Sequence, residues 1–211
     1  YHEFYEGRHF AIALDNDVII TINCEAYPFS SRLLFECQSH PELRIVIYIC
    51  EDLWAPLPPS TLHCLNGATL ILNPSASNDL TSKSDYRRLL VTSHSARLIC
   101  GYAYCNAGLG ESSTDVVFSN HHLIAENGSL LAQSQQYSEG IIFADMDMEK
   151  IVSERVELTT YDNRQDHYQI IPFSLQDEDI ELTRTYGPHP FVPSNKDQRA
   201  MRCREVFDIQ I

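Results

Sequence analysis

The chain has 211 residues, and its 29 acidic against 15 basic side chains give a formal net charge of −14. That acid excess excludes a nucleic-acid or anionic-membrane partner, since either would be repelled, and no run of about 18 apolar residues exists to span a bilayer. With 44% hydrophobic and 10% aromatic residues there is material for a real core, which excludes a disordered chain.

The first predicted strand is LRIVIYIC (Leu43 to Cys50), a nearly continuous β-branched run that reads as buried on both faces. PLPPS stops it and opens a short helix near Ser60, which ends at Gly67, the residue a left-handed cap favours. ATLILN (Ala68 to Asn73) is the second buried strand. The polar loop PSASNDLTS then leads to a helix from about Ser82 to Arg97, with Tyr86, Leu89, Leu90 and Ser93 on one face. LICGYAYCN, ending at Asn106, is the third strand, and the alternation of strands and helices is the α/β pattern. DVVF and HHLIA precede Asn127-Gly128, and SLLAQS follows it, which predicts a hairpin with a type I′ turn. Gly140 to Met146 reads as a further strand leading into a helix at Asp147 to Arg155, so the sheet should mix parallel crossovers with hairpins. From about Glu157 the periodicity fades into an extended connector, with three prolines after Gly187 and with Ile170, Ile171 and Phe173 as possible tethers. KDQRAMRCREVFDIQI then starts a helix that Ser194 could cap, offering Ala200, Met201, Cys203, Val206, Phe207 and Ile209 for burial.

The seven cysteines are scattered, odd in number and never spaced CxxC, as expected of a reduced, cytoplasmic chain rather than a disulfide framework. Cys50 is the most informative of them, because it ends a buried strand and is followed by Glu51, Asp52, Leu53, Trp54 and prolines. A nucleophile at such a junction points out of the sheet while a nearby backbone N–H faces a developing oxyanion. The alternative is an inert buried thiol. The two acids beside it oppose thiolate formation, so a catalytic Cys50 requires a cation or base from elsewhere in the fold. Ser77 at the end of the next strand, with Lys83 and Arg87-Arg88 behind it, would border the same pocket if the strands are adjacent and parallel. A hydroxyl with a cation suits a carboxylate or an amino acid; loop capping and solvated charge are the alternatives. The Gly108 to Asp115 run matches neither a Walker loop nor GxGxxG and reads as a turn approaching the pocket. The nine histidines are dispersed, His121 and His122 should face opposite sides of a strand, and no metal site is expected.

IYICEDLWAPLPPS, GATLILNPSAS, SDYRRLLVTSHSARLICGYAYCNAGLGESSTDVVFS and HHLIAENGSLLAQS resemble the glutaminase domain, of carbon–nitrogen hydrolase (nitrilase) type, of bacterial glutamine-dependent NAD synthetases. YHEFYEGRHF is similar to the segment after that family's catalytic lysine, and TRTYGPHPFVPSN and RCREVFDIQI resemble the start of its synthetase domain. The likeness covers nearly the whole chain and is weakest at about Ala11 to Ile22.

The resemblance implies an α/β fold, an α-β-β-α sandwich with a mixed sheet, incomplete at its N-terminus. It divides the chain into a glutaminase portion (1–156), a linker (157–194) and the start of a truncated ATP-dependent synthetase domain (195–211). It also implies a Glu–Lys–Cys triad with Cys50 as nucleophile, attacking L-glutamine through a glutamyl thioester. The lysine should lie a few positions before Tyr1 and the glutamate further upstream, so this fragment alone would be inactive. Glu3 matches an auxiliary acid, and Tyr1, Ser77 and Lys83 match positions that bind the amino-acid moiety of glutamine, with Trp54 as a pocket wall. Lys83 stands where some relatives carry arginine, keeping the charge without the bidentate fork. The expected enzyme is a cytoplasmic homo-oligomeric ligase that passes ammonia to nicotinic acid adenine dinucleotide. ATP and magnesium would bind in the missing domain, and no cofactor would bind to this part. A stand-alone nitrilase-type amidase and a catalytically silent oligomerisation module are the alternatives.

Overall fold

Seven strands build the main sheet of the computed structural model, which describes residues 18–176, 181–185, 192–193 and 195–211. They are β3 (Leu33–Cys37), β4 (Arg44–Ile47), β5 (Leu70–Ser75), β6 (Gly101–Asn106), β7 (Leu123–Glu126), β8 (Ser129–Gln133) and β9 (Gln169–Phe173), while β1 (Val18–Ile22) and β2 (Glu25–Phe29) form a separate two-stranded ribbon. The helices are α1 (Pro59–Leu65), α2 (Lys83–Leu98), α3 (Met148–Glu157) and α4 (Lys196–Gln210). The chain forms two compact units, Tyr1–Glu178 and Asp179–Ile211, and all of these elements except α4 lie in the first.

The sheet order is β8-β7-β6-β5-β4-β3-β9. Neighbours β4, β5 and β6 run parallel, as do β3 and β9, while β3–β4, β6–β7 and β7–β8 are antiparallel. The fold is therefore α/β with a mixed sheet, as the element pattern predicts. Crossovers through α1 and α2 join the three parallel strands, and their carboxyl ends consequently open on the same side. The hairpin forms as expected, with Asn127 and Gly128 at φ 42° and 82°, the positive values a type I′ turn demands.

One face of the sheet is sealed. Leu34, Val46, Tyr48, Ile71, Tyr102, Tyr104 and Ala125 pack there with Cys64 from α1 and Val91 and Leu98 from α2. This corrects the expectation that Leu43 to Cys50 is buried on both faces: Val46 is 1% exposed but Ile47 and Ile49 are 52% and 63% exposed. A strand alternates its side chains, and the helices cover the Val46 and Tyr48 side. Cys50 itself lies beyond the strand.

The buried side of α2 also differs from the predicted one. Tyr86 and Leu89 are exposed, whereas Arg87, Val91, Ser95 and Leu98 form the inward stripe. The helical period is kept, but a paired arginine displaces an apolar residue from the inner face. Gly140 to Met146 is not a strand, and Ile141 and Phe143 are exposed, because none of the described strands lies alongside to satisfy its backbone. His121 and His122 sit just before β7, not within it. The connector contains a real element, since Ile170, Ile171 and Phe173 belong to β9 on β3. The β1–β2 ribbon, turned through Asn23 and Cys24 at φ 51° and 67°, and β3 were not anticipated. In the second unit the cap of α4 is Asn195, whose side chain accepts from the Asp197 N–H at 2.8 Å; Ser194 lies outside the described residues. The side chains of α4 are exposed throughout.

Candidate active site

The carboxyl ends of β4, β5 and β6 deliver three segments to one place: the turn at Cys50, the Ser75–Lys83 loop, and Asn106 with the residues after it. Cys50 begins a 3-10 turn, Cys50–Trp54, at φ 47°, a left-handed conformation that costs a residue with a Cβ. The turn is closed by Asp52, whose carboxylate accepts from the Ile49 N–H at 3.2 Å while its own N–H donates to the Ile49 carbonyl at 3.1 Å. Leu53 is the inward anchor, 3% exposed. Below the turn, Asn73 Nδ2 donates to the Tyr48 carbonyl at 3.1 Å, and the Tyr102 hydroxyl donates to Asn73 Oδ1 at 3.1 Å. Tyr102 and Tyr48 also hydrogen-bond through their hydroxyls, and burial pushes both phenols up, so they stay neutral. The Cys50 turn thus rests on a buried and fully engaged platform, with its thiol half-buried at the surface.

Lys83 is the first residue of α2. Its Nζ donates to the carbonyl and the Oδ1 of Asn78 at 2.7 and 2.9 Å and stands 5.3 Å from the Trp54 ring centre. Trp54 in turn packs on Tyr86 with ring centres 5.5 Å apart. Partial burial and the neighbouring Arg87 hold Lys83 below the ordinary lysine value, opposed by Asp79, Cys50 and Glu51. The thiol is therefore close enough to bear on the lysine's ionisation, and it bears likewise on that of Tyr104.

Of the basic trio, Arg87 is fully buried, which corrects the reading of solvated charge for that residue; Arg88 is exposed and pairs with Asp85 at 2.8 Å. Arg87 pairs with Asp79 at 3.1 Å, lies 5.7 Å from the Tyr104 ring centre, and donates through Nη1 to His121 Nδ1 at 3.0 Å. Because guanidinium only donates, His121 accepts through Nδ1, and its Nε2 stands 2.9 Å from Gln133 Nε2. Burial first, and Arg87 second, lower His121 to about 4.

Cys50, Trp54, Ser77 and Lys83 are thus drawn into one neighbourhood, while Tyr1 and Glu3 lie outside the described residues. Arg87 in its buried role, Asn73, Tyr104, Asn106 and His121 are additions of the structure. Only the asparagines following strand runs could have signalled them. Gly108 lies against the side chain of Asn120: a Cβ there would stand 2.3 Å from Asn120 Oδ1 and displace that carboxamide. A separate cavity of about 360 Å³, lined by Leu34, Arg44, Asn66, Gly67, Arg164 and Tyr168 among others, sits at the opposite end of the strands and includes none of these residues. Among the described residues no group of three metal-ligating side chains converges, and no helix is long and apolar enough to cross a membrane.

The mixed α/β sheet thus presents a cysteine in a left-handed turn at a strand end. Residues 21–155 match the carbon-nitrogen hydrolase family, and the chain belongs to that family. Over 222 aligned positions it is 37% identical to the glutamine-dependent NAD(+) synthetase of Mycobacterium tuberculosis, covering 100% of this chain and 33% of that protein. The crystal structure of a glutamine-dependent NAD(+) synthetase from Cytophaga hutchinsonii is similar with a TM-score of 0.53 and 32% identity, over 64% of this chain and 21% of that one. The glutamine-dependent NAD+ synthetase from Acinetobacter baumannii shares the fold with a TM-score of 0.54 at 16% identity, over 72% of this chain and 25% of that one. The chain spans about a third of the length of the curated mycobacterial relatives that it matches from end to end.

Proposed function

We propose that this chain is the glutamine-hydrolysing part of a glutamine-dependent NAD synthetase. The observation that carries the reading is Cys50, held at a left-handed turn whose Trp54 ring centre lies 5.3 Å from Lys83 Nζ, above a neutral hydrogen-bonded platform, in a chain alike over its whole length to such synthetases.

In this reading the Cys50 thiol gives its proton to the triad base as its sulfur attacks the side-chain amide carbon of L-glutamine; that proton passes to the amide nitrogen, and the tetrahedral intermediate collapses by expelling ammonia, leaving a glutamyl thioester. Water adds to the thioester, glutamate departs, and the thiol is restored with the proton that water gave up. Ser77 and Lys83 bind the amino-acid end, with Trp54 as the wall against which the substrate stem lies; Tyr1 and Glu3 are assigned to the same site. The glutamate and lysine that would complete the triad match no residue of this chain, so we place them in the part of such a synthetase that this chain does not span. Other polypeptide would also bind ATP, magnesium and nicotinic acid adenine dinucleotide, the acceptor of the ammonia. We place the complete protein in the cytoplasm, as a homo-oligomer.

The test is made on the complete protein. Cys50→Ala should abolish glutamine-driven NAD formation and spare ammonia-driven formation. Glutamine-driven activity that survives this substitution, or a glutamine-directed electrophile that labels another residue, overturns the reading. Loss of both activities in a folded variant equally counts against it, because the thiol serves only ammonia supply.

A further inference from the structure

The β5–β6 ladder ends at the Ser75–Asn106 pair, with the Ala107 N–H donating to the Ser75 carbonyl at 2.8 Å. Two residues on, Ser77 is 5% exposed, so its peptide groups need partners that water does not supply. One side chain provides both. Asn106, 4% exposed, accepts from the Ser77 N–H through Oδ1 at 2.8 Å and donates from Nδ2 to the Ser77 carbonyl at 3.0 Å. A carboxamide here takes the place of the next peptide of a strand. Its orientation is fixed, because a backbone N–H only donates and a carbonyl only accepts.

Asn106 is itself held. Its backbone N–H donates to His122 Nδ1 at 3.1 Å, and the Tyr104 hydroxyl donates to its Oδ1 at 3.4 Å. On the other side of Ser77, Arg87 Nη2 lies 3.4 Å from the carbonyl and 3.5 Å from the hydroxyl. The serine is clamped between an amide and a guanidinium, each anchored in the core.

We propose that Asn106 is a positioning residue for the amino-acid end of the substrate: it fixes Ser77 so that the loop is already set for glutamine. This deepens the functional reading above and rests on it. A serine left to reorient would weaken substrate binding by the fraction of time it spends misplaced, without altering the thiol chemistry. Isosteric Asp keeps the acceptor but turns an oxygen toward the Ser77 carbonyl, and Ala removes both bonds.

The experiment uses the complete protein, comparing wild type with Asn106→Asp and Asn106→Ala. Readouts are steady-state glutamine hydrolysis, ammonia-driven synthesis, and glutamine protection of Cys50 against iodoacetamide. The expected result is a KM for glutamine raised about tenfold, with kcat within about threefold of wild type. The glutamine concentration that protects Cys50 should rise to the same degree, while unprotected alkylation and ammonia-driven synthesis stay unchanged. An unchanged KM, or a fall in kcat alone, overturns the proposal. If Asn106→Asp fails to fold, Asn106→Ala decides by the same readouts. If both unfold, Asn106 serves the fold and the proposal falls. A wild type that does not hydrolyse glutamine refutes instead the functional reading, and only an active wild type with unaltered Asn106 variants refutes this inference by itself.

Discussion

The Lys83 ammonium stands 5.3 Å from the centre of the Trp54 ring, and this pair joins the first turn of α2 to the turn that begins at Cys50. Lys83 is held by Asn78 in the loop after β5, and Trp54 by the end of β4, so their meeting records the parallel pairing of β4 with β5.

If Lys83 supplies charge to a substrate carboxylate, Lys83→Met should raise the KM for glutamine by about tenfold or more, in line with roughly 1.5–3 kcal/mol for a hydrogen bond to a charged group. Lys83→Arg should recover much of the loss. Initial-rate measurements across glutamine concentration decide this, and an unaltered KM in Lys83→Met removes the residue from the substrate site.

The left-handed backbone at Cys50 separates stability from function. Cys50→Gly should be more stable than Cys50→Ala by about 1 kcal/mol, since glycine adopts positive φ without the Cβ clash. Both should lack glutamine-driven activity. Urea unfolding of the two variants measures the difference, and equal midpoints would show that the turn carries no such strain.

Arg155 is a structural counterpart to Arg87. Buried at 7% exposure, it donates to the carbonyls of Ile99 at 2.8 Å, Ala68 at 2.8 Å and Leu98 at 3.0 Å, tying α3 to the starts of β5 and β6. Arg155→Met keeps the stem but strips Ala68 and Ile99 of this donor, and should cost about 3 kcal/mol. Leu98 keeps the Tyr161 hydroxyl at 3.1 Å. Chemical denaturation gives the loss directly; a change below about 0.5 kcal/mol would mean that water replaces the guanidinium.

Three histidines set an acid limit. His63, His94 and His121 are each lowered to about 4, chiefly by burial, so the folded state resists a proton that the unfolded chain binds at about 6.5. Their contribution to stability is whole above pH 6.5 and is lost as pH falls toward 4, at up to about 1.4 kcal/mol per pH unit for each histidine. Hydrogen exchange of β5 and β6 amides, corrected for intrinsic rate, should show protection falling between pH 7 and 5. His94→Gln, which retains a partner for Ser60 (2.6 Å from His94 Nε2), should flatten the fall.

How much of this was legible from the chain differs by element. α1, α2, the parallel strands and the Asn127-Gly128 hairpin follow from local chemistry: prolines that bar a strand, a glycine at positive φ, and apolar runs of strand length. β3 and β9 escape such reading because each is a five-residue stretch stabilised by the other, over more than a hundred intervening positions. Gly140 to Met146 fails in the opposite way. Its composition favours a strand, but a strand exists only where a neighbour accepts its backbone, and no described strand does.

By itself the sequence determined the alternation of strands and helices, the cysteine at a strand end and the nearby hydroxyl and cation, since these depend on residue type and close spacing. Only the tertiary structure decided that Asn106 clasps Ser77, that Arg87 rather than Leu89 faces inward, and that just one side of β4 is sealed. Those outcomes depend on burial and on partners distant in the chain, where an unmet hydrogen bond or charge costs more than local preference gives.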